Sequence, residues 1–177
     1  MKIILISGKA QNGKDTSANF IKQELERHGE SVMIAHYADL VKYVCQTFFD
    51  WDGIKDEYGR HILQYVGTDV VRTKEPDFWV NFLSEILKIF YDEWDFVIIP
   101  DTRFPNEISK MRDSFSDVMH LRVRRTNYVS PLTEEQQNHP SETALDNTEP
   151  DYWIENNGTI EDLETKITHF VREEFYE

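Results

Sequence analysis

Residues 3–18 of the chain read IILISGKAQNGKDTSA. The unbroken apolar run from Ile3 to Ile6 is typical of a strand that is buried on both faces of a parallel sheet. A polar turn with two glycines follows over residues 8–14, and apolar residues at helical spacing then predict a helix over about residues 15–28. The stretch therefore predicts a strand, a glycine-bearing turn and a helix in direct succession.

The turn matches the phosphate-binding pattern G-x-x-x-x-G-K, with Gly8, Gly13 and Lys14 at its fixed positions. Glycines let successive backbone N–H groups point inward, and the helix that follows contributes its positive end. The lysine then reaches the β- and γ-phosphates of a nucleotide. A tight turn with a surface lysine is the simpler alternative, but the strand, the spacing and the helix together favour a phosphate-binding loop (P-loop).

Two acidic residues are candidates for a magnesium site. Asp15 stands where this pattern usually has a Ser or Thr that binds Mg²⁺, and Thr16 follows it. A carboxylate there can bind the ion directly or through water, but an Asp also stabilises a helix N-terminus electrostatically, so both interpretations stay open. Asp101 follows an apolar run, where a P-loop fold usually places an acidic residue that faces the metal.

The chain has 177 residues, with 19 Lys and Arg against 33 Asp and Glu, for a formal net charge of −14. The length favours one domain over residues 1–177. This negative net charge argues against nucleic acid or an anionic membrane as a partner, since both bind basic surfaces. The sequence has no apolar stretch of about 18 residues, so no membrane span is expected. The single cysteine excludes an intramolecular disulfide and fits a cytoplasmic protein, whereas the oligomeric state stays open.

Apolar runs and helical patterns alternate along the whole chain. This alternation predicts an α/β fold with a central parallel sheet of about five strands that is flanked by helices. Thr159 is expected to cap the last helix. The predicted strands after the first are Ser31–His36, Phe96–Ile99, Val118–Val123 and Tyr152–Glu155, and the predicted helices after the first lie at about 40–48, 58–71, 79–90 and 160–171.

Basic residues near a second polar cluster suggest a site for a phosphorylated acceptor. Arg103 lies two residues beyond Asp101, where its guanidinium could hold a phosphate with two hydrogen bonds, although a loop salt bridge is an alternative. Arg60 and Gln64 share a helix face at i, i+4 spacing, although such charges are often only solvated. The candidate acceptor-binding residues are Asp39, Lys42, Arg60, Gln64, Thr68, Asp69, Arg72 and Arg103.

Residues 124–146 are polar and have little periodicity, so they are a candidate loop or lid. Arg122, Arg124 and Arg125 form a basic cluster at its entrance, and mobile arginines can stabilise a transferring phosphoryl group. Pairing of this cluster with nearby acids is the alternative. Within the segment, Ser141 and Glu142 suggest the start of a short helix.

Four motifs of the chain point to a known family. They are Gly13-Lys14-Asp15-Thr16-Ser17-Ala18, Gly67-Thr68-Asp69, Phe78-Trp79-Val80 and Pro100-Asp101-Thr102-Arg103. Together they resemble phage-type deoxynucleoside monophosphate kinases. The resemblance implies a P-loop NTPase fold of three layers, with an acceptor-binding helical region at about 38–75 and a lid at about 124–146. Animal-type phosphomevalonate kinases are similar at several of the same positions and in the tail around 141–156, and dephospho-coenzyme A kinase shares the architecture and the P-loop.

This resemblance implies an enzyme that uses ATP and Mg²⁺ to phosphorylate a small phosphorylated acceptor, most simply a deoxynucleoside monophosphate. Asp15 and Asp101 would be the metal ligands, and Asn157-Gly158 would cradle the adenine, although Asn-Gly is also a common turn. A nucleotide sensor with little turnover is the alternative from another functional class. The implied catalytic residues are Lys14, Asp101, Arg103, Arg124 and Arg125, and the implied ATP-binding residues are Gly8, Ala10, Asn12, Gly13, Lys14, Asp15, Thr16, Asn157 and Gly158.

Overall fold

A parallel sheet of five strands lies at the centre of the structure, a computed structural model that describes residues 1–177. The strand order is β2-β3-β1-β4-β5, and every neighbouring pair is parallel. The predicted α/β fold with a five-stranded parallel sheet is therefore confirmed. The strands are β1 (Lys2–Ser7), β2 (Val32–Ile34), β3 (Phe96–Ile99), β4 (Val118–Arg124) and β5 (Tyr152–Glu155).

Helices connect the strands and cover both faces of the sheet. Those longer than five residues are α1 (Lys14–Arg27), α2 (Ala38–Phe48), α3 (Glu57–Gln64), α5 (Phe78–Ile89), α6 (Pro105–Ser114) and α9 (Ile160–Phe175). The short ones are α4 (Val71–Lys74), α7 (Glu134–Asn138) and α8 (Pro140–Thr143). None of the helices combines the length and the apolar composition that a membrane span requires.

Alternate residues of β1 supply the two halves of the core. Ile4 and Ile6 belong to the buried cluster that includes α1 and α9, whereas Ile3 and Leu5 belong to the cluster that includes α5 and α6. Successive side chains of a strand point to opposite faces, so an unbroken apolar run fills two cores at once. The result is a three-layer arrangement whose P-loop follows β1 at the middle of the sheet.

A third buried cluster packs together the helices that lie between β2 and β3 in the chain. It contains Val41, Cys45, Trp51, Ile62, Val66 and Trp79. The indole N–H of Trp79 donates to the carbonyl of Gly67 at 2.8 Å, which fixes α5 against this region. The single cysteine, Cys45, is thus a buried core residue.

The helical prediction for residues 58–71 is also confirmed, with one unforeseen feature. Between α3 and α4 the helix widens to a π-helix over Tyr65–Val70. Helix α6 was not predicted at all, because only two apolar residues, Ile108 and Met111, lie on its buried face. The expected cap of the last helix is present, since the Thr159 hydroxyl accepts from the Asp162 N–H at 3.2 Å.

Candidate active site

The two P-loop glycines occupy positions that no side chain would fit. Gly8 has φ +147°, and a Cβ there would overlap the carbonyl oxygen of Val123 on β4. Gly13 has φ +98°, and a Cβ there would overlap the amide nitrogen of Asn156. That same amide donates to the carbonyl of Asn12 at 2.9 Å. The loop is thus held closely against the ends of β4 and β5.

Lys14 lies folded over the P-loop and is 7% exposed. Its ammonium donates to the carbonyls of Gly8 at 2.8 Å and Lys9 at 2.9 Å. Burial, together with the nearby positive charge of Arg103, lowers the pKa of Lys14 to about 7. An anion bound in the loop would stabilise the charged form of this lysine and raise its pKa.

Asp101 joins the end of β3 to the start of α2. One carboxylate oxygen accepts from the backbone N–H of Tyr37 at 3.1 Å, and the other accepts from that of Ala38 at 2.9 Å. Burial raises the pKa of Asp101, and the two N–H donors and His36 partly oppose this shift. The carboxylate therefore has a structural role at the N-terminus of α2. The sequence predicted only that Asp101 would face a metal ion.

Two cavities flank the P-loop. The larger one, here called the α2–α3 cavity, measures about 420 Å³ and contains Lys14 and Asp15 in its wall. The β4–β5 cavity measures about 280 Å³ and contains Gly8, Asn12 and Arg124. Other predicted residues around the α2–α3 cavity are Ala10, Lys42, Arg60, Thr68, Arg72 and Asp101.

Arg103 and Ser141 line both cavities. The Arg103 guanidinium donates to the Glu142 carboxylate at 2.6 Å and to the Ser141 carbonyl at 3.3 Å. Its backbone N–H donates to the buried carboxylate of Glu107 at 2.6 Å. Arg103 is thus the cationic side chain that stands between the two cavities.

The cluster of arginines at the end of β4 is divided among three environments. Arg122 is buried and donates to the Ser7 hydroxyl at 3.0 Å and to the Leu145 carbonyl at 2.9 Å. Arg124 is exposed and pairs with Glu155 at 2.6 Å. Arg125 lies over the ring of Tyr128, 4.6 Å from its centre. Of Arg124 and Arg125, which the resemblance implied to be catalytic, only Arg124 lies in a cavity wall.

Several predicted site residues lie outside both cavity walls, and some of them make contacts elsewhere. Asp69 bonds to His139 at 3.2 Å, and Asp39 pairs with Lys42 at 2.7 Å. The Asn157 side chain accepts from the Thr126 N–H. The predicted residues in this group are Gly13, Thr16, Asp39, Gln64, Asp69, Arg125, Asn157 and Gly158.

Gln64 lies outside both cavity walls, although it belongs to the same helical region as residues that line the α2–α3 cavity. Those residues are Arg60, Leu63, Gly67 and Thr68. Arg60 and Gln64 do share helix α3, as the i, i+4 spacing predicted, but only Arg60 lies in the cavity wall.

The structure adds Glu142 and Lys9 to the site. The Glu142 carboxylate accepts from the Ala10 N–H at 2.9 Å, and the Lys9 ammonium donates to the Glu142 carbonyl at 2.6 Å. Residues 141 and 142 do start a short helix, as the sequence suggested, but that pattern does not reveal their contact with the P-loop. More than 130 residues separate these partners in the chain.

A magnesium ion fits this site only if a ligand supplies most of its coordination. The structure holds no group of three or more His, Cys, Asp or Glu side chains placed to bind a metal. Asp15 is exposed in the cavity wall, where His36 lies 3.7 Å away and lowers the pKa of Asp15. Mg²⁺ commonly takes one or two carboxylates and completes its shell with phosphate and water, so Asp15 fits that role better than Asp101.

Residues 30–167 match the family model described as deoxynucleotide monophosphate kinase. The chain belongs to this family. The match begins after the P-loop, so the family assignment and the P-loop geometry are independent observations. Membership confirms the resemblance that the motifs predicted.

Two curated deoxynucleotide monophosphate kinases are similar in sequence. The protein from Enterobacteria phage T4 is 29% identical over 124 residues, which cover 68% of this chain and 48% of that protein. The protein from Escherichia phage RB69 is 30% identical over 115 residues, which cover 64% of this chain and 44% of that protein. The chain thus spans about half the length of the curated relatives that it matches.

Solved kinases share the fold of this family member. The APS kinase of Mycobacterium tuberculosis aligns with 97% of each chain at a TM-score of 0.55 and 12% identity. The shikimate kinase of Aquifex aeolicus vf5 aligns with 98% of this chain and 97% of its own at a TM-score of 0.53 and 16% identity. These similarities confirm the predicted P-loop kinase architecture.

Proposed function

We propose that this protein transfers the γ-phosphoryl group of ATP to a deoxynucleoside monophosphate. The observation that carries the proposal is the pair of cavities on either side of the P-loop, with Arg103 in both walls. A phosphoryl transfer needs a donor and an acceptor held in line with a positive charge between them. The family supports the acceptor class, since it is that of the deoxynucleotide monophosphate kinases.

ATP is the proposed donor, and its phosphates would lie on the P-loop. The backbone N–H groups of the loop and the start of α1 offer hydrogen bonds to phosphate oxygens. The buried Lys14 would turn from the loop carbonyls toward the β- and γ-phosphates. The APS kinase that shares this fold was solved in complex with AMPPNP, an ATP analogue, which supports a nucleotide as the ligand.

The monophosphate would enter the α2–α3 cavity. Its phosphate group would meet Arg60, Arg72 and Arg103, which all line that cavity. Arg72 is already fixed by the buried Glu107, with which it pairs. Val41, Leu63 and Trp79 give the cavity an apolar part that suits a base. We propose the region 38–75 as the acceptor-binding part of the molecule.

The proposed transfer is direct, without a covalent enzyme intermediate. The acceptor phosphate is already anionic, so positioning and charge neutralisation matter more than removal of a proton. Arg103 would bridge the transferring group and the acceptor phosphate, and Lys14 would stabilise charge on the donor side. Mg²⁺ held near Asp15 would neutralise the β- and γ-phosphate oxygens. Once both substrates are bound, the segment 124–146 would act as a lid that excludes water and so limits ATP hydrolysis.

The test is a panel of acceptors with ATP and Mg²⁺, scored for ADP release. The panel contains the deoxynucleoside monophosphates, the matching ribonucleotides, phosphomevalonate and dephospho-coenzyme A. Turnover with one or more deoxynucleoside monophosphates, well above the ATPase rate without acceptor, supports the proposal. Turnover with only phosphomevalonate or dephospho-coenzyme A would show that the acceptor is not a deoxynucleoside monophosphate. Tight ATP binding with no turnover on any acceptor would favour a nucleotide sensor instead.

A further inference from the structure

The side chain of Glu142 lies in the P-loop where an anion is expected to bind. One carboxylate oxygen accepts from the backbone N–H of Ala10 at 2.9 Å, and the other accepts from the Arg103 guanidinium at 2.6 Å. The side chain is 7% exposed. The carboxylate therefore satisfies a loop N–H and an arginine that the proposed function assigns to phosphates.

A second set of contacts holds this segment in place. The Lys9 ammonium donates to the Glu142 carbonyl at 2.6 Å and also pairs with the Asp146 carboxylate. Leu145 is 8% exposed and belongs to the core cluster of Ile3 and Leu5. The segment 139–146 is thus anchored in the core at Leu145 and closes over the loop at Glu142.

A phosphate oxygen and the Glu142 carboxylate require the same hydrogen-bond donors. An N–H group that already donates to a carboxylate at 2.9 Å cannot donate equally well to a second anion. Two anions in contact in a partly buried loop also repel each other strongly. Nucleotide phosphates and Glu142 should therefore exclude each other from the P-loop.

We propose that Glu142 is a built-in substitute for a nucleotide phosphate, which the nucleotide must displace before the acceptor site is complete. The inference rests on the proposed function. With the loop empty, Glu142 holds Arg103 against the segment 139–146. When triphosphate enters, the carboxylate leaves, and Arg103 becomes available to the acceptor phosphate. Nucleotide binding is weakened by this competition, and acceptor binding is strengthened once nucleotide is present.

The direct test compares nucleotide affinity in Glu142→Ala, Glu142→Gln and the unmodified protein. Calorimetry with AMPPNP and Mg²⁺ avoids turnover. Removal of the competing carboxylate should lower the Kd by about 5- to 150-fold in the Ala variant, the usual range of such couplings. The Gln variant keeps the side-chain size but not the charge, so it should show a smaller decrease and serves if the Ala variant does not fold. Glu174→Gln, an exposed site on α9 with the same charge change, should leave the Kd unchanged.

The same variants test the coupling between the sites. In the unmodified protein, AMPPNP should lower the Kd for the deoxynucleoside monophosphate. In Glu142→Ala, the ratio of that Kd without AMPPNP to that with AMPPNP should approach one. Hydrogen exchange on the unmodified protein should show lower protection of residues 139–146 when AMPPNP alone is added. Unchanged or weaker AMPPNP binding in both Glu142 variants, or unchanged protection, would overturn the proposal.

Failure of this inference differs from failure of the proposed function. If the unmodified protein binds AMPPNP in a Lys14-dependent way and phosphorylates deoxynucleoside monophosphates, the kinase function stands whatever Glu142 does. If AMPPNP binding is tightened in Glu142→Ala but no acceptor is phosphorylated, the substitute role of Glu142 stands and the acceptor assignment fails.

Discussion

The guanidinium of Arg72 is bonded to the carboxylate of Glu107, which is 1% exposed, and lies 4.1 Å from the centre of the Phe104 ring. The same carboxylate accepts the backbone N–H groups of Arg103 and Phe104 at 2.6 and 3.0 Å. One buried acid on α6 therefore fixes two of the three arginines that line the α2–α3 cavity. Burial raises the pKa of Glu107, and the positive charge of Arg72 opposes that shift.

Glu107→Gln should both destabilise the protein and weaken acceptor binding. The change leaves Arg72 without its counter-charge and places an amide N–H₂ near backbone donors, so the free energy of unfolding should fall by about 3 kcal/mol. The KM for the acceptor should rise while the Kd for ATP stays constant. Urea denaturation and steady-state kinetics measure the two effects. Glu85→Gln, which removes an exposed pair with Lys88, should change stability by less than about 0.5 kcal/mol.

Arg103→Ala should reduce kcat by about 100-fold or more. Loss of one positively charged donor that stabilises transition-state charge has an effect of about this size. Arg112 is a suitable control, because it lies on α6 and pairs with Asp151 on the surface, so Arg112→Ala should leave kcat unchanged. If Arg103→Ala tightens ATP binding but keeps the full kcat, Arg103 serves only as the partner of Glu142.

Nucleotide binding should take up a proton at alkaline pH. In the free protein the pKa of Lys14 is about 7, so the side chain is mostly neutral at about pH 8. Bound phosphates favour the charged form and raise that pKa, so affinity should fall by up to about tenfold per pH unit as the pH rises above 7. Calorimetry in buffers of different ionisation enthalpy measures the number of protons taken up on binding. A range from about pH 7.5 to about pH 9 avoids the second phosphate ionisation near pH 6.

The lysine can be separated from other titrating groups by substitution. Lys14→Met should remove the proton uptake along with most of the affinity. If the unmodified protein binds AMPPNP with no proton uptake over that range, then Lys14 is already charged in the free protein, and its proposed environment is wrong.

Gly8→Ala should abolish nucleotide binding, whereas Gly29→Ala should not affect it. Both glycines have a positive φ, but a Cβ at Gly8 would overlap Val123, and a Cβ at Gly29 meets no atom within 4 Å. The Gly29 variant should lose about 1 kcal/mol of stability from backbone strain alone. Thermal unfolding and AMPPNP titration distinguish the two. Equal nucleotide affinity in both variants would contradict the close packing of the loop against β4.

The sequence predicted the sheet, the P-loop and most helices because these depend on local patterns. Five apolar runs identified five strands, and the Gly-Lys turn after the first run identified the phosphate loop. Helix α6 was missed because only two apolar residues, Ile108 and Met111, lie on its buried face over ten residues. A local pattern that short does not separate a helix from a loop.

The parts of the site that were not predicted depend on contacts between distant segments. Glu142 and Ala10 are 132 residues apart, and Asp69 and His139 are 70 residues apart. Composition and spacing carry no signal for such pairs. Arg60 lies in the wall of the α2–α3 cavity and Gln64 does not. Helical spacing could not separate them, because residues at i and i+4 lie on the same face of a helix.

The most direct measurement follows the phosphate itself. The protein is incubated with ATP labelled at the γ-phosphate, Mg²⁺ and each deoxynucleoside monophosphate, and the products are separated by chromatography. For a kinase of this family, the label should appear in a deoxynucleoside diphosphate at a rate that Lys14→Met reduces by at least about 100-fold. Label found only in free inorganic phosphate, or in a diphosphate formed equally fast by Lys14→Met, would contradict transfer at this P-loop.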